Sequence, residues 1–410
     1  MKHVSPLSLA FVITCVVGVF FFAGADAAAW SRAQEEKEEK EKPRLKNFDP
    51  RLRGQDGRKA EKGGAEEEDV VRVETNLVVA DVLVLDKQGR SVAGLKREDF
   101  VVREDNAPQK IGTFALGGGA GVPRSIVLVI DHSGSQLPYL KTSVEAAKTL
   151  VDRLGPRDRM AVVTDSVELL ADFTRDKALL KAKLDSLLQS TLDGRAGRSE
   201  HYSALLATLT ELFDEEDLRP VVIFQADGEE LLALKGAKPR LRGVRERAFS
   251  FEDLLTAAEK SRATVYAIIP GLRFIGLSQD EQLRRAQADM QNRMKATGEL
   301  FGGAGPRPRH LPWSDGHYRR WADMTHRFQL AMAGLAKYTG GWADYLERPE
   351  QARDVYARVF AGIESRYFIG YYSTNLARDG KRRKVSIEVR GHPDYVVWGR
   401  KTYFAPGPDD

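Results

Sequence analysis

The dominant pattern along the chain is an alternation of short, uniformly apolar runs with longer stretches whose apolar residues recur at helical spacing. Ile126-Val-Leu-Val-Ile130 is five large aliphatic residues without a polar interruption, which predicts a strand buried on both faces of a parallel sheet. Residues 160–164, 221–224 and 264–269 repeat that signature. Between them, 139–154 places Val144, Ala147, Leu150, Val151 and Leu154 on one helical face and stops at Gly155-Pro156. Residues 177–188, 203–213 and 251–260 are predicted helices too, the last opened by a Ser250 and Asp253 cap. Strand and helix alternating in this way predict an α/β fold: a doubly wound, mostly parallel sheet with helices on both faces and right-handed crossovers.

The flanks follow other rules. Residues 71–118 read as a small all-β module, with hairpin turns at 86–89 and 104–107 and a core of Phe100, Val102, Ile111 and Phe114. A glycine-rich joint, 117–121, follows. The α/β unit then runs over 122–345, interrupted at about 271–326 by an insertion with a polar helical stretch (280–297) and a Gly/Pro/Arg loop (302–310). Helices are predicted at 327–338 and 350–364. The C-terminal segment, 346–406, closes with strand-like runs at 367–372, 384–389 and 395–404, which either extend the sheet or join the small β-module.

The N-terminus has the plan of a secretory signal peptide over 1–29: Lys2, an apolar run at 7–25, then small-residue cleavage sites at Ala25-Asp-Ala27 and Ala27-Ala-Ala29. An uncleaved anchor is the alternative, and only then is a membrane a partner. The expected location is outside the cytoplasm: periplasmic, cell-envelope or secreted. Cys15, the one cysteine, lies in this run, so the exported product would hold no disulfide. Residues 30–70 read as a disordered charged tether, with 11 basic and 12 acidic residues over 31–70 and too few apolar ones to offset ordering. A net charge of +4 on 63 basic and 59 acidic residues argues for neither nucleic acid nor a membrane surface as partner.

Candidate chemistry begins where the first buried strand stops. Asp131, Ser133 and Ser135 alternate in the loop beyond it, at the strand end where open α/β sheets bind ligands. They offer only hard oxygen donors, which suits Mg²⁺ or Mn²⁺. An enzymatic reading lacks its parts. Asp131-His-Ser133 names a triad's residue types, but contiguous residues cannot form its geometry, and there is neither a Gly-x-Ser-x-Gly elbow nor a phosphate loop.

Asp131-His-Ser-Gly-Ser135 after a buried strand, with a later strand ending in Asp227-Gly228, resembles the von Willebrand factor type A domain and its metal-ion-dependent adhesion site. Glu98-Asp-Phe100, Glu104-Asp-Asn106, Thr339-Gly-Gly341 and Tyr367-Phe-Ile-Gly-Tyr371 resemble a bacterial secreted branch of that family, over roughly 71–406. The resemblance implies a Rossmann-like domain whose cation is held by Asp131, Ser133 and Ser135 from a first loop, a hydroxyl from a second, and Asp227 from a third. The family's second-loop threonine is replaced here by Ser199 in Gly197-Arg-Ser199, with Ser190 and Thr191 as fallback positions. Two formal negative charges leave the ion able to accept a carboxylate from a protein partner. A basic loop at 228–249 would attract such a partner or simply be solvated. His132 and His201 read as packing or supporting groups, and His310, His317 and His326 as surface residues. The implied function is a non-catalytic exported binding protein; a structural envelope protein with a vestigial metal loop is the alternative, and a metal-dependent hydrolase trails.

Overall fold

The computed structural model of the chain describes residues 42–48, 77–116, 122–214, 219–238, 245–300 and 314–407. The leader, most of the tether, the glycine joint and the insertion loop with His310 lie outside them. Among the described residues no helix is long and apolar enough to cross a membrane.

In chain order the elements are β1 (Leu77–Leu85), β2 (Phe100–Glu104), β3 (Ala107–Gln109), β4 (Ile111–Leu116), β5 (Ser125–Ile130), α1 (Leu137–Asp152), β6 (Arg159–Thr164), β7 (Glu168–Thr174), α2 (Lys177–Leu192), α3 (His201–Glu211) and β8 (Pro220–Gln225). They continue with α4 (Phe251–Lys260), β9 (Thr264–Pro270), α5 (Gln279–Leu300), α6 (Asp315–Tyr338), β10 (Ala343–Leu346), α7 (Ala352–Glu364), β11 (Tyr367–Tyr372), β12 (Arg382–Val389), β13 (Val396–Trp398) and β14 (Thr402–Phe404).

A six-stranded sheet of order β10-β9-β8-β5-β6-β7 is parallel throughout except at β7, which returns antiparallel to β6. Its two faces explain the unbroken apolar runs. Val127 and Val129 pack with residues of α3, α4 and α6, whereas Ile126, Leu128 and Ile130 pack with α1, α2 and α7. Every residue of β5 is buried. Each such aliphatic side chain contributes about 1.5–3 kcal/mol relative to exposure. The expected doubly wound α/β architecture is therefore present. Ser250 accepts the Asp253 N–H (3.2 Å) while Asp253 Oδ2 accepts the Ser250 N–H (2.7 Å), closing the cap that opens α4.

The remaining strands make two four-stranded sheets, β13-β1-β11-β4 and β14-β12-β2-β3, which share one core of Val82, Phe100, Val102, Tyr367, Ile369 and Val385 among others. N-terminal and C-terminal strands interleave here: Leu77–Val82 pairs with Tyr367–Tyr372, and Phe100–Glu104 with Val385–Val389. Helix α7 does not go with the strands that follow it but packs on α1 against the large sheet. Asp105 and Asn106, at φ 46° and 70°, form the tight turn between β2 and β3.

Three expectations are corrected. The run at 395–404 is two strands, β13 on one sheet and β14 on the other, parted at Gly399, which lies so close to Val82 that there is no room for a side chain. Helix α6 begins at Asp315 rather than 327, because Tyr318 and Ala322 find a small core of their own with Phe274, Leu283 and Ala286. The tether is not wholly solvated: Leu45 is buried in the core beneath α3, and Lys46 bridges to Glu168 with backbone bonds of 2.9 and 3.0 Å to Val167 and Leu169. Leu45 and Phe48 thus pack residues 42–48 beside the open edge at β7.

The sandwich meets the α/β unit at the N-terminal ends of the parallel strands. Asp81 of β1 receives Arg219, which precedes β8, at 2.9 Å and Arg366, which precedes β11, at 3.2 Å; both arginines are buried. Arg366 also donates to Gly340 O (2.9 Å), and Arg400 donates to Ala258 O and Ala263 O at the C-terminal end of α4. Replacing one member of a buried charge group leaves the others uncompensated, which costs about 3–5 kcal/mol. Asp81→Ala is expected to lose that much stability in urea unfolding; a loss within error of zero would remove Asp81 as the joint.

Candidate functional site

The opposite ends of the strands carry the polar residues. Asp131 follows β5, Asp165 follows β6 and Asp227 follows β8 by two residues, so three neighbouring strands deliver three carboxylates to one edge. Asp131 is fully buried, Asp227 half-buried and Ser135 exposed, so the group opens from the interior outward.

Four of the five expected ligands come together. Ser133 N–H donates to Asp131 Oδ1 at 2.9 Å, folding the first loop back on its own carboxylate. The Ser133 and Ser135 hydroxyls lie 3.1 Å apart, and Ser135 Oγ donates to Asp227 Oδ2 at 2.7 Å. Gln136 Nε2 donates to the same oxygen at 3.0 Å. The second loop behaves differently. Ser199, at φ 55°, is held through its backbone N–H to Asp165 Oδ2 (2.7 Å), and among the described residues its hydroxyl bonds to none of the other four. Ser190 and Thr191 lie at the end of α2, where the Thr191 hydroxyl donates to Leu187 O at 2.8 Å.

Two further residues are part of the site: His201, which the sequence marks only as a packing or supporting group, and Asp165, which it does not mark. His201 Nδ1 lies 3.6 Å from Asp131 Oδ2, and Asp131, His201 and Asp227 each bring a potential ligand atom within 4.8 Å of the others. The Glu230 N–H donates to His201 Nε2 at 3.4 Å, so the neutral ring carries its proton on Nδ1 and presents a donor, not a lone pair, toward Asp131. Asp165 is the second. It is fully buried and accepts the His132 N–H at 3.1 Å, and the His132 ring Nδ1 also pairs with it. His132 therefore faces Asp165 rather than a serine hydroxyl. Only its place directly after a buried strand could have signalled Asp165.

The electrostatics differ sharply between the two carboxylates. Burial pushes Asp131 up to about 7, with Asp165 and Asp227 adding to the rise, and with His201 and the Ser133 hydrogen bond opposing it. Among the described residues Asp131 Oδ2 has no hydrogen-bond partner. Burial alone would raise Asp165 as well, but the bond and charge of His132 and the N–H groups of His132 and Ser199 outweigh it and hold Asp165 below the usual carboxylate range. In the basic loop, Arg247 is turned inward to Glu230 (2.8 Å) and Glu200 (3.2 Å), and Glu230 accepts the Tyr202 and Ser203 N–H groups at the start of α3. Residues 239–244 of that loop lie outside the described ones.

Comparison with known proteins matches residues 126–229 to the model of the von Willebrand factor type A domain. No curated protein matches the chain significantly. Solved structures similar to part of it include proximal thread matrix protein 1 of the mussel byssus, at 13% identity and TM-score 0.35, covering 60% of this chain and 49% of that one. The match thus spans about half the length of the mussel protein. The vWF domain of the type V pili tip protein Mfa5 from Porphyromonas gingivalis matches at 12% identity and TM-score 0.35, covering 60% and 96%. BatB from Bacteroides thetaiotaomicron matches at 16% identity and TM-score 0.33, covering 59% and 98%. The family match falls on the strands and loops that carry Asp131 and Asp227, so residues 126–229 of the chain match a von Willebrand factor type A domain.

Proposed function

We propose that the chain is an exported, non-catalytic binding protein that uses a divalent cation, Mg²⁺ or Mn²⁺, to hold a protein ligand. The observation that carries this reading is the Asp131 carboxylate, buried, with one oxygen left without a hydrogen bond and a second carboxylate beside it. Such a group is costly to keep charged unless a cation answers it. Asp131, Ser133, Ser135 and Asp227 supply hard oxygens, and Ser199 is the second loop's hydroxyl. When bound, the ion would supply a Lewis-acidic position open to a partner's carboxylate. The residues around it give no activated nucleophile, since His132 pairs with Asp165 and the Ser133 hydroxyl with Ser135. Export rests on the apolar leader alone.

A second reading, a structural envelope protein with a vestigial loop, is favoured by His201, which already sets a proton donor toward Asp131. Cation titration separates the two. Mg²⁺ at 100 times its dissociation constant is expected to stabilise the wild-type chain by about 2.7 kcal/mol, read as a rise in the thermal midpoint. Asp131→Ala is expected to abolish the rise. A midpoint unmoved by millimolar Mg²⁺ or Mn²⁺ would leave only the structural role. The partner is tested by retention from envelope extract on the immobilised chain: retention of an acidic protein should require both Mg²⁺ and Asp131, and retention indifferent to a chelator would contradict the cation bridge.

A further inference from the structure

We propose that Asp165 is a positioning residue: it sets the second loop against the first, and thereby how tightly the site grips its cation, without contacting the ion. The proposal rests on the reading that Asp131 and its neighbours hold one.

Asp165 is the first residue beyond β6; its N–H is bonded to Ile130 O of β5, and its carboxylate and carbonyl are spent on the two loops flanking Asp131. Oδ1 accepts the His132 N–H at 3.1 Å and faces the His132 ring, fixing the residue between Asp131 and Ser133. Oδ2 accepts the Ser199 N–H at 2.7 Å, and the Asp165 carbonyl accepts the Glu200 N–H at 3.0 Å. One further bond, Gly197 N–H to His132 O at 3.1 Å, closes the loops on each other. Ser199 adopts a left-handed backbone that an L-residue keeps only where its surroundings dictate it, and the dictating bond is the one to Asp165. Glycine at 197 serves the same clamp, because a Cβ there would fall inside the Asp165 carboxylate. Helix α3 starts two residues after Ser199, so the clamp also fixes where His201 stands relative to Asp131. Groups that orient ligands from behind are worth roughly 10–100-fold in metal affinity.

The experiment measures Mn²⁺ affinity of the full chain for the wild type, Asp165→Asn, Gly197→Ala and the double variant. Gly197→Ala keeps every charge and disturbs only the clamp. Each single variant is expected to bind Mn²⁺ about 10–100-fold more weakly, and the double no worse than the weaker single, because both break one device. Asp81→Ala, which weakens the far end of the fold, is expected to bind within about twofold of wild type, since distant sites add independently. Affinity lost in Asp165→Asn but kept in Gly197→Ala would reduce Asp165 to a nearby charge and overturn the clamp. Wild-type affinity in both would overturn it as well, while absence of Mn²⁺ binding by the wild type would remove the cation reading together with it. Should Asp165→Asn fail to fold, the comparison of Gly197→Ala with Asp81→Ala decides alone: equal affinities overturn the clamp, and a loss confined to Gly197→Ala supports it.

Discussion

A sheet covered by helices on both faces leaves only the ends of its strands for polar groups, and this chain uses the two ends in opposite ways. At the N-terminal ends, Asp81 is answered by two arginines from within the chain, and the result is a joint between the sandwich and the α/β unit. At the C-terminal ends, Asp131 is buried more completely than Asp81, but among the described residues one of its oxygens has no hydrogen-bond partner. The same electrostatic demand is met internally at one pole and left open at the other. The answered and the unanswered carboxylate are thereby kept apart by the length of the strands.

The hydrophobic pattern made the sheet legible because its central strands are uniform. Nothing polar interrupts residues 126–130, and the structure buries all of them. Edge elements were harder to see. Strand β7 buries only Leu169 and Ala171, and β10 only Leu346, so neither produces an apolar run. Leu45 and Phe48 were hidden in a charged segment whose composition argues against order, yet they pack residues 42–48 against the core. In the site, Asp131, Ser133 and Ser135 were readable because they are close in sequence. Asp165 was not, and His201 was read only as a packing or supporting group, because their roles arise from contacts made across 33 and 70 positions of chain.

The three loops also differ in how they are held. The first and third are tied together by side chains, through Ser135 and Gln136 to Asp227. The second is tied through backbone amides to a carboxylate that stands behind it. A hydroxyl presented on a loop fixed by its main chain depends on the rotamer of that one side chain, which serine restricts less than threonine does.

The interleaved sandwich has a consequence for biogenesis. Strand β1 finds its neighbours β11 and β13 only after nearly three hundred further residues have been made, and β2 waits for β12 in the same way. The α/β unit, whose parallel strands all lie between, completes its own core first during synthesis from the N-terminus. Until the last strands emerge, the first four present unpaired edges and an apolar face, so the beginning of the chain stays open to wrong partners until its end arrives.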